Sequence, residues 1–189
     1  MTAFLLHLMR HGTPEQPGRL HGHNDVALAP RAEISCLEQA RLVEFDRLVT
    51  SDLARAGDCA RAIGEERGMA PLIDPRWREL DFGVWNGCAP AEVDQTRLTA
   101  FWADPDASPP PGGESWSALC ARVAVAIGAL EPHSTLVVCH GGAMRAALAG
   151  LCGFSVAQGW AFDLPYAAML SLRVWPGERP MAQIVGLWP

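Results

Sequence analysis

The sequence predicts an α/β protein, arranged as a three-layer α/β/α sandwich with a mainly parallel central sheet and a C-terminal antiparallel hairpin. Short apolar runs alternate with helix-compatible segments, which is the pattern of a parallel sheet covered by helices on both faces. Two apolar runs near the end of the chain, 168–175 and 181–187, flank a Pro- and Gly-containing turn and indicate the hairpin. The length of 189 residues suits one domain, so we predict a single domain over residues 1–189.

The first half of the chain begins with an apolar run over 3–9, which is typical of a buried strand. A loop rich in Gly, Pro and polar residues follows it as far as Pro30, and loops of this length in compact domains usually carry function. The periodicity and the stop signals then predict four further elements: a helix over 32–45, a strand over 47–51, a helix over 53–67 that ends at Gly68, and a short strand over 71–74.

The second half is interrupted by a Pro-rich segment over 104–113, because proline disfavours both helix interiors and central strands. Helix-compatible segments lie on either side of it. The predicted elements are a helix over 89–102, a helix over 114–130 capped from the Gly112-Gly113 turn, a buried strand over 134–139, and a helix over 143–152.

The composition excludes several classes of protein. All fifteen cationic side chains are Arg, so no chemistry that needs a P-loop, Schiff-base or kinase lysine is available. The net charge of −6 and the lack of a basic stripe predict no nucleic-acid partner. No apolar stretch is long enough for a membrane span and no signal peptide is evident, so we expect a cytoplasmic protein without a membrane partner. The six cysteines show no metal-ligand spacing and are interpreted as reduced.

Three predicted strands end in residues that suit anion chemistry. The first runs into Arg10 and His11, the second is followed by Arg55, and the strand over 134–139 runs into His140. Because ligands of parallel open sheets lie beyond the carboxyl ends of the strands, all three endings can face one crevice. Guanidinium and imidazole groups suit a phosphate, and Gly141 at a helix start lets an anion approach backbone N–H groups.

Each of these residues has a simpler explanation when it is taken alone. A histidine at a strand end is often structural, and a helix arginine such as Arg55 is often solvated. His7 is interpreted as a core residue. His21 and His23 form a His-x-His pair on the long loop, but no third ligand is indicated nearby, so no metal site is predicted.

The order of the motifs resembles the histidine phosphatase (phosphoglycerate mutase-like) superfamily. The Arg10-His11-Gly12 triplet alone is a weak signal, whereas several blocks in the family's order over nearly the whole chain are a strong one. These blocks are 8–12, Gly18-Arg19, 22–25 with Leu28, 51–56, 78–87, 111–115 and 137–145. One departure lies in the loop after Gly12, where the Asn that often precedes Gly-Arg in the family is absent.

The resemblance implies a role for individual residues. His11 is the implied nucleophile that becomes phosphohistidine, and Glu79 is the implied general acid and base. Without the motif, a surface ion pair with a neighbouring Arg is the simpler explanation for Glu79. The implied phosphate ligands are Arg10, Arg55, His140 and Gly141, with Thr13 as a candidate donor, and His140 is also counted among the catalytic residues. Guanidinium groups replace a metal in this scheme, so neither a metal nor a cofactor is expected.

Within the superfamily, the short chain and the compact loop after Gly12 resemble the α-ribazole phosphatase branch. The leading hypothesis is therefore a phosphatase of α-ribazole 5′-phosphate in cobalamin nucleotide-loop assembly. The alternatives are a phosphatase of another small phosphomonoester, such as a broad-specificity or sugar phosphate enzyme, a phosphoglycerate mutase-type phosphotransferase, and a non-catalytic binder of a phosphorylated ligand. A serine hydrolase is rejected, because Ser115 lies in only half of a nucleophile-elbow motif and follows a proline run rather than a strand.

Residues 76–116 are predicted to form a small cap-like insertion over the site. Trp85, Trp102 and Trp116 lie in this segment. They either stack on an aromatic part of the substrate or pack in the core, and core packing is the simpler explanation. The expected partner is a small phosphorylated substrate, and the expected oligomeric state is a monomer or a homodimer.

Overall fold

The computed structural model describes residues 2–189, so Met1, where the predicted domain begins, lies outside the described residues. A six-stranded sheet forms the centre of the fold, with strand order β3-β2-β4-β1-β5-β6. The strands are β1 (Phe4–Arg10), β2 (Arg47–Thr50), β3 (Leu72–Ile73), β4 (Thr135–Cys139), β5 (Met169–Trp175) and β6 (Met181–Trp188).

The pairing of the strands confirms the predicted sheet. Strand β1 runs parallel to β4, β4 runs parallel to β2, and β2 runs parallel to β3. Strand β5 pairs with β1 in the antiparallel direction, and β6 pairs with β5 in the same way to form the C-terminal hairpin. The carboxyl ends of β1, β2 and β4 consequently lie at one edge of the sheet, which is where ligands bind in folds of this type.

Helices cover both faces of the sheet, which confirms the three-layer architecture. They are α1 (Glu33–Ala40), α2 (Ala54–Arg67), α3 (Gln95–Ala103), α4 (Trp116–Gly128), α5 (Gly141–Cys152) and α6 (Val156–Trp160). Strand side chains alternate between the two faces, so β1 sends Leu6 and Leu8 into a core with α4 and α5, and Met9 into a second core with α1 and α2.

The predicted helix over 32–45 is wrong at its C-terminal end. Helix α1 ends at Ala40, and Leu42, which the periodicity placed on the buried face, is 59% exposed. Val43 and Phe45 reach the core from a turn instead. The backbone of Asp46 already donates a hydrogen bond to Ser134, next to β4, so the chain must leave the helix to enter the sheet.

The predicted helix over 89–102 is also wrong, because two elements occupy this range. A short 3-10 helix, Pro90–Glu92, comes first, and α3 begins only after Asp94, whose carboxylate accepts the Arg97 N–H as an N-cap. Helix α4 likewise begins later than predicted, because the Ser115 hydroxyl accepts the Ala118 N–H and caps it, rather than the Gly112-Gly113 turn.

Residues 76–116 contain α3 and much of the 3-10 structure, and they share the core on the α4 and α5 face. Trp77, Leu80, Trp85 and Phe101 from this segment are buried in that core. The description of this segment as a cap-like insertion stays a prediction. Among the described residues, no helix is both long and apolar enough to cross a membrane.

Candidate active site

His11 lies immediately after β1 and is held by its backbone and by its ring. Its N–H donates to the carbonyl of Cys139 (2.9 Å), and its own carbonyl accepts the N–H of Ala167 (3.1 Å). The ring Nδ1 lies 2.7 Å from the carbonyl oxygen of Gly12. A carbonyl can only accept, so Nδ1 carries the proton and Nε2 of the neutral ring has the free lone pair.

Arg10 borders the same cavity as His11 and is fixed by residues near the start of β5. Its Nη1 donates to the carbonyl of Leu164 (2.6 Å), and its guanidinium carbon lies 4.0 Å from the centre of the Tyr166 ring. Its Nε is buried and makes no hydrogen bond with the described residues. The guanidinium is therefore rigidly placed, with a donor still available for an anion.

Arg55, in the first turn of α2, is completely buried. Its terminal nitrogens donate to the backbone carbonyls of His21 (3.0 Å), Gly22 (2.7 Å) and Asn24 (2.9 Å), while its Nε makes no hydrogen bond with residues 2–189. Arg55 thus anchors the long loop that follows Gly12. No described carboxylate forms an ion pair with it, so its positive charge remains available to an anion.

His140, at the end of β4, completes the group of buried side chains. Its ring centroid lies 5.1 Å from that of His11, and neither of its ring nitrogens makes a hydrogen bond with the described residues. Burial, reinforced by the positive charge of Arg55, holds the pKa of both His11 and His140 well below the usual range. Both rings are therefore neutral at pH 7, and the His11 nucleophile does not have to lose a proton first.

The Glu79 carboxylate is held by two backbone N–H groups. Leu80 donates to Oε1 (2.8 Å), and Gly142, at the start of α5, donates to Oε2 (3.1 Å). A Cβ at position 142 would overlap with Oε1, so glycine is required for this approach. The carboxylate therefore lies at the N-terminus of α5, beside Gly141 and His140.

Arg122 of α4 fixes the backbone that carries Glu79. It donates to the carbonyls of Arg76 (2.8 Å), Arg78 (2.8 Å) and Glu79 (2.6 Å). It also binds Glu114 through two hydrogen bonds of 2.8 Å each. The sequence did not single out Arg122 or Glu114, because eight residues separate them and no local pattern links them to position 79.

A cavity of about 230 Å³ opens over these groups. Arg10, His11, Glu79 and Gly141 are among its lining residues, and we call this group, together with the buried Arg55 and His140, the phosphate end. Trp102, Trp116 and Trp160 also line the cavity, and we call this aromatic group the leaving-group end. The remaining lining residues are Arg19, Leu20, His21, Leu80, Phe82, Phe101, Pro105, Gly142, Arg145, Asp163, Leu164 and Tyr166.

The structure therefore brings together most of the residues that the sequence selected. Thr13 is not among the residues that line the cavity, and its backbone carbonyl accepts the N–H of Ala29. Of the three tryptophans considered from the sequence, Trp85 is a core residue and only Trp102 and Trp116 line the cavity. The catalytic and phosphate-binding roles of these residues stay predictions.

The sequence did not single out Arg145 of α5 or the lining residues between α5 and β5. Arg145 donates to the carbonyls of Gly159 and Phe162, and its guanidinium carbon lies 4.3 Å from the centre of the Trp160 ring. Trp160 in turn meets Trp102 edge to face, with ring centroids 5.0 Å apart. The one available signal was the capping box at the start of α6, in which Ser155 and Gln158 cap each other's backbone.

The remaining histidines are held by other protein atoms. Nδ1 of His7 lies 2.6 Å from the Ser171 hydroxyl in the core. His21 donates from Nε2 to the carbonyl of Gln16 (2.6 Å), and His23 donates from Nε2 to that of Glu79 (3.0 Å). Within residues 2–189, no group of three or more His, Cys, Asp or Glu side chains is placed to hold a metal ion.

Comparisons with known proteins agree with this geometry. The profile of the histidine phosphatase superfamily (branch 1) matches residues 6–185. A glucosyl-3-phosphoglycerate phosphatase of Mycobacterium tuberculosis is 32% identical over 177 residues, which cover 84% of this chain and 79% of the relative. An adenosylcobalamin/alpha-ribazole phosphatase of Salmonella typhimurium is 27% identical over 188 residues, which cover 91% of each chain. The native structure of a mycobacterial glucosyl-3-phosphoglycerate phosphatase matches with a TM-score of 0.86 at 27% identity, over 98% of both chains.

The chain belongs to the histidine phosphatase superfamily, as the profile match over most of its length shows. It is a phosphoric monoester hydrolase of that superfamily, as the phosphatases among its relatives also indicate. The resemblance inferred from the sequence motifs is thereby confirmed.

Proposed function

We propose that this phosphatase works through a phosphohistidine formed at Nε2 of His11. The observation that carries the proposal is the 2.7 Å hydrogen bond from Nδ1 of His11 to the carbonyl of Gly12, since it leaves Nε2 with its lone pair. In the first step Nε2 attacks phosphorus, the N–P bond forms, and the bond from phosphorus to the alcohol oxygen breaks. In the second step water attacks phosphorus, the N–P bond breaks, and phosphate leaves.

The phosphate end supplies the positive charge and the donors that these steps need. Phosphoryl transfer spreads negative charge over the equatorial oxygens, and catalysis depends mainly on groups that already point at them. Arg10 and Arg55 provide fixed charges, and His140 and the backbone at Gly141 provide neutral donors. Because guanidinium groups carry this charge, we expect catalysis without a metal.

Glu79 is the proposed general acid and base. An alkoxide is a poor leaving group, so a carboxylic acid at the cavity must protonate the departing oxygen. The carboxyl group accepts this proton from solvent while a phosphate dianion lies beside it. After the alcohol leaves, the carboxylate removes a proton from the water that attacks phosphohistidine.

The leading substrate class is a phosphomonoester whose alcohol carries an aromatic ring, with α-ribazole 5′-phosphate as the specific candidate. The leaving-group end supports this choice, because Trp102 and Trp160 line the cavity and each residue is 42% exposed. Exposed indole rings offer flat apolar surface on which a benzimidazole ring can stack. The similarity to the Salmonella enzyme, named as an adenosylcobalamin/alpha-ribazole phosphatase, supports the same reading.

A second candidate substrate is glucosyl-3-phosphoglycerate. It is favoured by Arg19, which lines the cavity, because a phosphoglycerate ester carries a carboxylate that a guanidinium can bind. Arg19 is partly engaged, since it also donates to the carbonyl of Gly87 and to Glu92. The similarity to the Mycobacterium tuberculosis enzyme supports this candidate.

Brief incubation with a ³²P-labelled phosphomonoester tests the chemistry. We expect acid-labile, base-stable label on the wild-type protein and none on His11→Ala, and hydrolysis of p-nitrophenyl phosphate that continues in excess EDTA. His133→Ala is the matched control, because this histidine is half exposed and does not line the cavity. Label that survives in His11→Ala contradicts the proposal, and binding of a phosphate ester without turnover supports a non-catalytic binder.

A comparison of kcat/KM across four substrates tests the specificity. The substrates are α-ribazole 5′-phosphate, glucosyl-3-phosphoglycerate, a sugar phosphate and 3-phosphoglycerate. We expect the highest kcat/KM for the first. A preference for the second, with a selective loss in Arg19→Gln, establishes the alternative, and isomerisation of phosphoglycerate faster than its hydrolysis establishes a mutase.

A further inference from the structure

Two buried thiols lie directly behind the catalytic loop and have no part in the mechanism described so far. Cys36 of α1 and Cys59 of α2 are both fully buried. They belong to the core between these helices and the sheet, on the same face as Met9. Neither residue lines the cavity, so neither contacts the substrate.

Cys59 is connected to His11 through Gly12. The Gly12 N–H donates to the Cys59 sulfur (3.3 Å), and the Gly12 carbonyl accepts the proton on Nδ1 of His11 (2.7 Å). Gly12 has no side chain to fix its torsion angles, and a Cβ there would overlap with the carbonyl of Ala32. The sulfur therefore holds the flexible residue whose carbonyl determines which nitrogen of His11 carries the proton.

The Cys36 thiol has an acceptor of its own, because it donates to the backbone carbonyl of Arg10 (3.8 Å). The bond from the Gly12 N–H to the Cys59 sulfur (3.3 Å) therefore does not depend on Cys36. Hydrogen bonds to sulfur are weaker than those to oxygen, but this one lies in a fully buried region where no water competes for the N–H.

We propose that Cys59 is a positioning residue for the nucleophile, which acts by holding Gly12 so that its carbonyl keeps the proton of His11 on Nδ1 and the lone pair on Nε2. This inference rests on the proposed role of His11. If the hold is lost, Gly12 rotates, part of the His11 population adopts the other tautomer or ring orientation, and that part cannot attack phosphorus. The defect then lies in kcat, because the phosphate ligands remain in place.

Two isosteric pairs of variants test this role. Thr and Val have nearly the same shape, as do Ser and Ala to within one atom, and in each pair only the hydroxyl residue can accept the Gly12 N–H. We expect kcat to be about fivefold lower in Cys59→Val than in Cys59→Thr. The same fivefold difference is expected between Cys59→Ala and Cys59→Ser, because one hydrogen bond is worth about this factor in rate. KM is expected to stay within about twofold in all four.

The tautomer of His11 is a second readout, because it would not change if Cys59 only packed in the core. Nitrogen-15 NMR of the imidazole, assigned by comparison with His11→Gln, is expected to show the Nδ1–H tautomer in wild type, Cys59→Thr and Cys59→Ser. The other tautomer is expected to grow in Cys59→Val and Cys59→Ala. Cys36→Ala is the matched control, since it removes a buried thiol of the same core but leaves the Gly12 bond, and its tautomer is expected to be that of wild type.

Equal kcat values and equal tautomers within both pairs overturn the proposal. If the larger Thr and Val variants do not fold, the Ser and Ala pair decides. A tautomer change without any change in kcat shows that Cys59 orients His11 but that His11 is not the nucleophile. In that case the proposed role of His11 as nucleophile is wrong. The appearance of ³²P label on His11→Ala is the independent measurement that shows this.

Discussion

The phosphate end and the leaving-group end of the cavity are built from different kinds of structure. His11 and His140 follow central strands, Arg55 lies in the first turn of a long helix, and none of the three is more than 4% exposed. Trp102 and Trp160 lie near the ends of the short helices α3 and α6, outside the sheet, and each is 42% exposed. The nucleophile and its buried neighbours thus rest on the sheet and a long helix, and the contacts for the alcohol rest on segments that can vary without disturbing them.

The largest expected effect tests whether the acid at the phosphate end acts on the leaving group. In Glu79→Gln the proton donor is lost, so we expect kcat/KM to fall about 10³-fold for alkyl phosphates but only about tenfold for p-nitrophenyl phosphate, whose phenolate needs little protonation. The value of kcat/KM is the right quantity because it covers only the steps up to departure of the alcohol.

Glu15→Gln is the control for this change, because Glu15 is an exposed carboxylate that does not line the cavity. It is expected to leave both substrates unaffected. Equal losses for alkyl and aryl phosphates in Glu79→Gln remove the acid role and leave only an electrostatic one.

A smaller effect is expected when Glu79 is displaced rather than replaced. The Cβ introduced by Gly142→Ala overlaps with Oε1 of Glu79, so the carboxylate must move and the N–H contact at Gly142 is lost. A displacement of about 1 Å at a catalytic group costs about 10²-fold in rate, and we expect a loss of this size in kcat/KM for alkyl phosphates.

Gly150→Ala provides a matched control in the same helix, since nothing lies within 4 Å of a Cβ added there. Activity is expected to be unchanged, and the free energy of unfolding to rise by about 0.5–1 kcal/mol because alanine favours the helix. If both alanine variants keep full activity, the position of Glu79 is not critical.

The two ends of the cavity also differ in how well the sequence predicted them. Arg10, His11 and His140 could be found because a buried strand leaves a clear apolar run and its end is a defined point. Trp160 and Tyr166 could not, because they meet the cavity through tertiary contacts made by a region without long periodic elements.

The secondary-structure errors have a related cause. The predicted helix over 32–45 continued a periodicity that tertiary contacts end at Ala40, and the one over 89–102 ignored the N-cap at Asp94. Helix α2 was predicted closely because Gly68, in the left-handed region at φ 68°, stops it locally.

A change at the leaving-group end is expected to alter specificity rather than chemistry. Trp160→Leu removes an exposed ring, so kcat/KM for α-ribazole 5′-phosphate is expected to fall about threefold to tenfold, the worth of one aromatic contact. Turnover of methyl phosphate is expected to be unchanged, because it has no ring to stack. Trp175→Leu on the hairpin, with a ring that is 38% exposed but not part of the cavity, is the control. If Trp160→Leu lowers kcat/KM equally for both substrates, the ring maintains the structure of the site and does not bind the aromatic part of the substrate.

The smallest expected effect concerns the stability of the phosphate end as a function of pH. In the folded protein the pKa of His11 and that of His140 lie well below 6.5, the ordinary value that both regain on unfolding. Below pH 6.5 the unfolded chain therefore binds protons that the folded chain does not, and the free energy of unfolding falls as pH falls towards the folded-state pKa values. Each histidine adds at most about 1.4 kcal/mol per pH unit to this slope.

Urea denaturation at pH 7, 6 and 5 measures this slope in wild type, His11→Gln and His140→Gln. Each variant lacks one histidine that resists protonation, so its stability is expected to fall less steeply between pH 6.5 and pH 5, whatever its stability at pH 7. His133→Gln, which removes a half-exposed histidine outside the cavity, is the control for the loss of a histidine as such. Parallel slopes in all four proteins contradict the prediction, because they show that His11 and His140 take up protons in the folded state as readily as in the unfolded one.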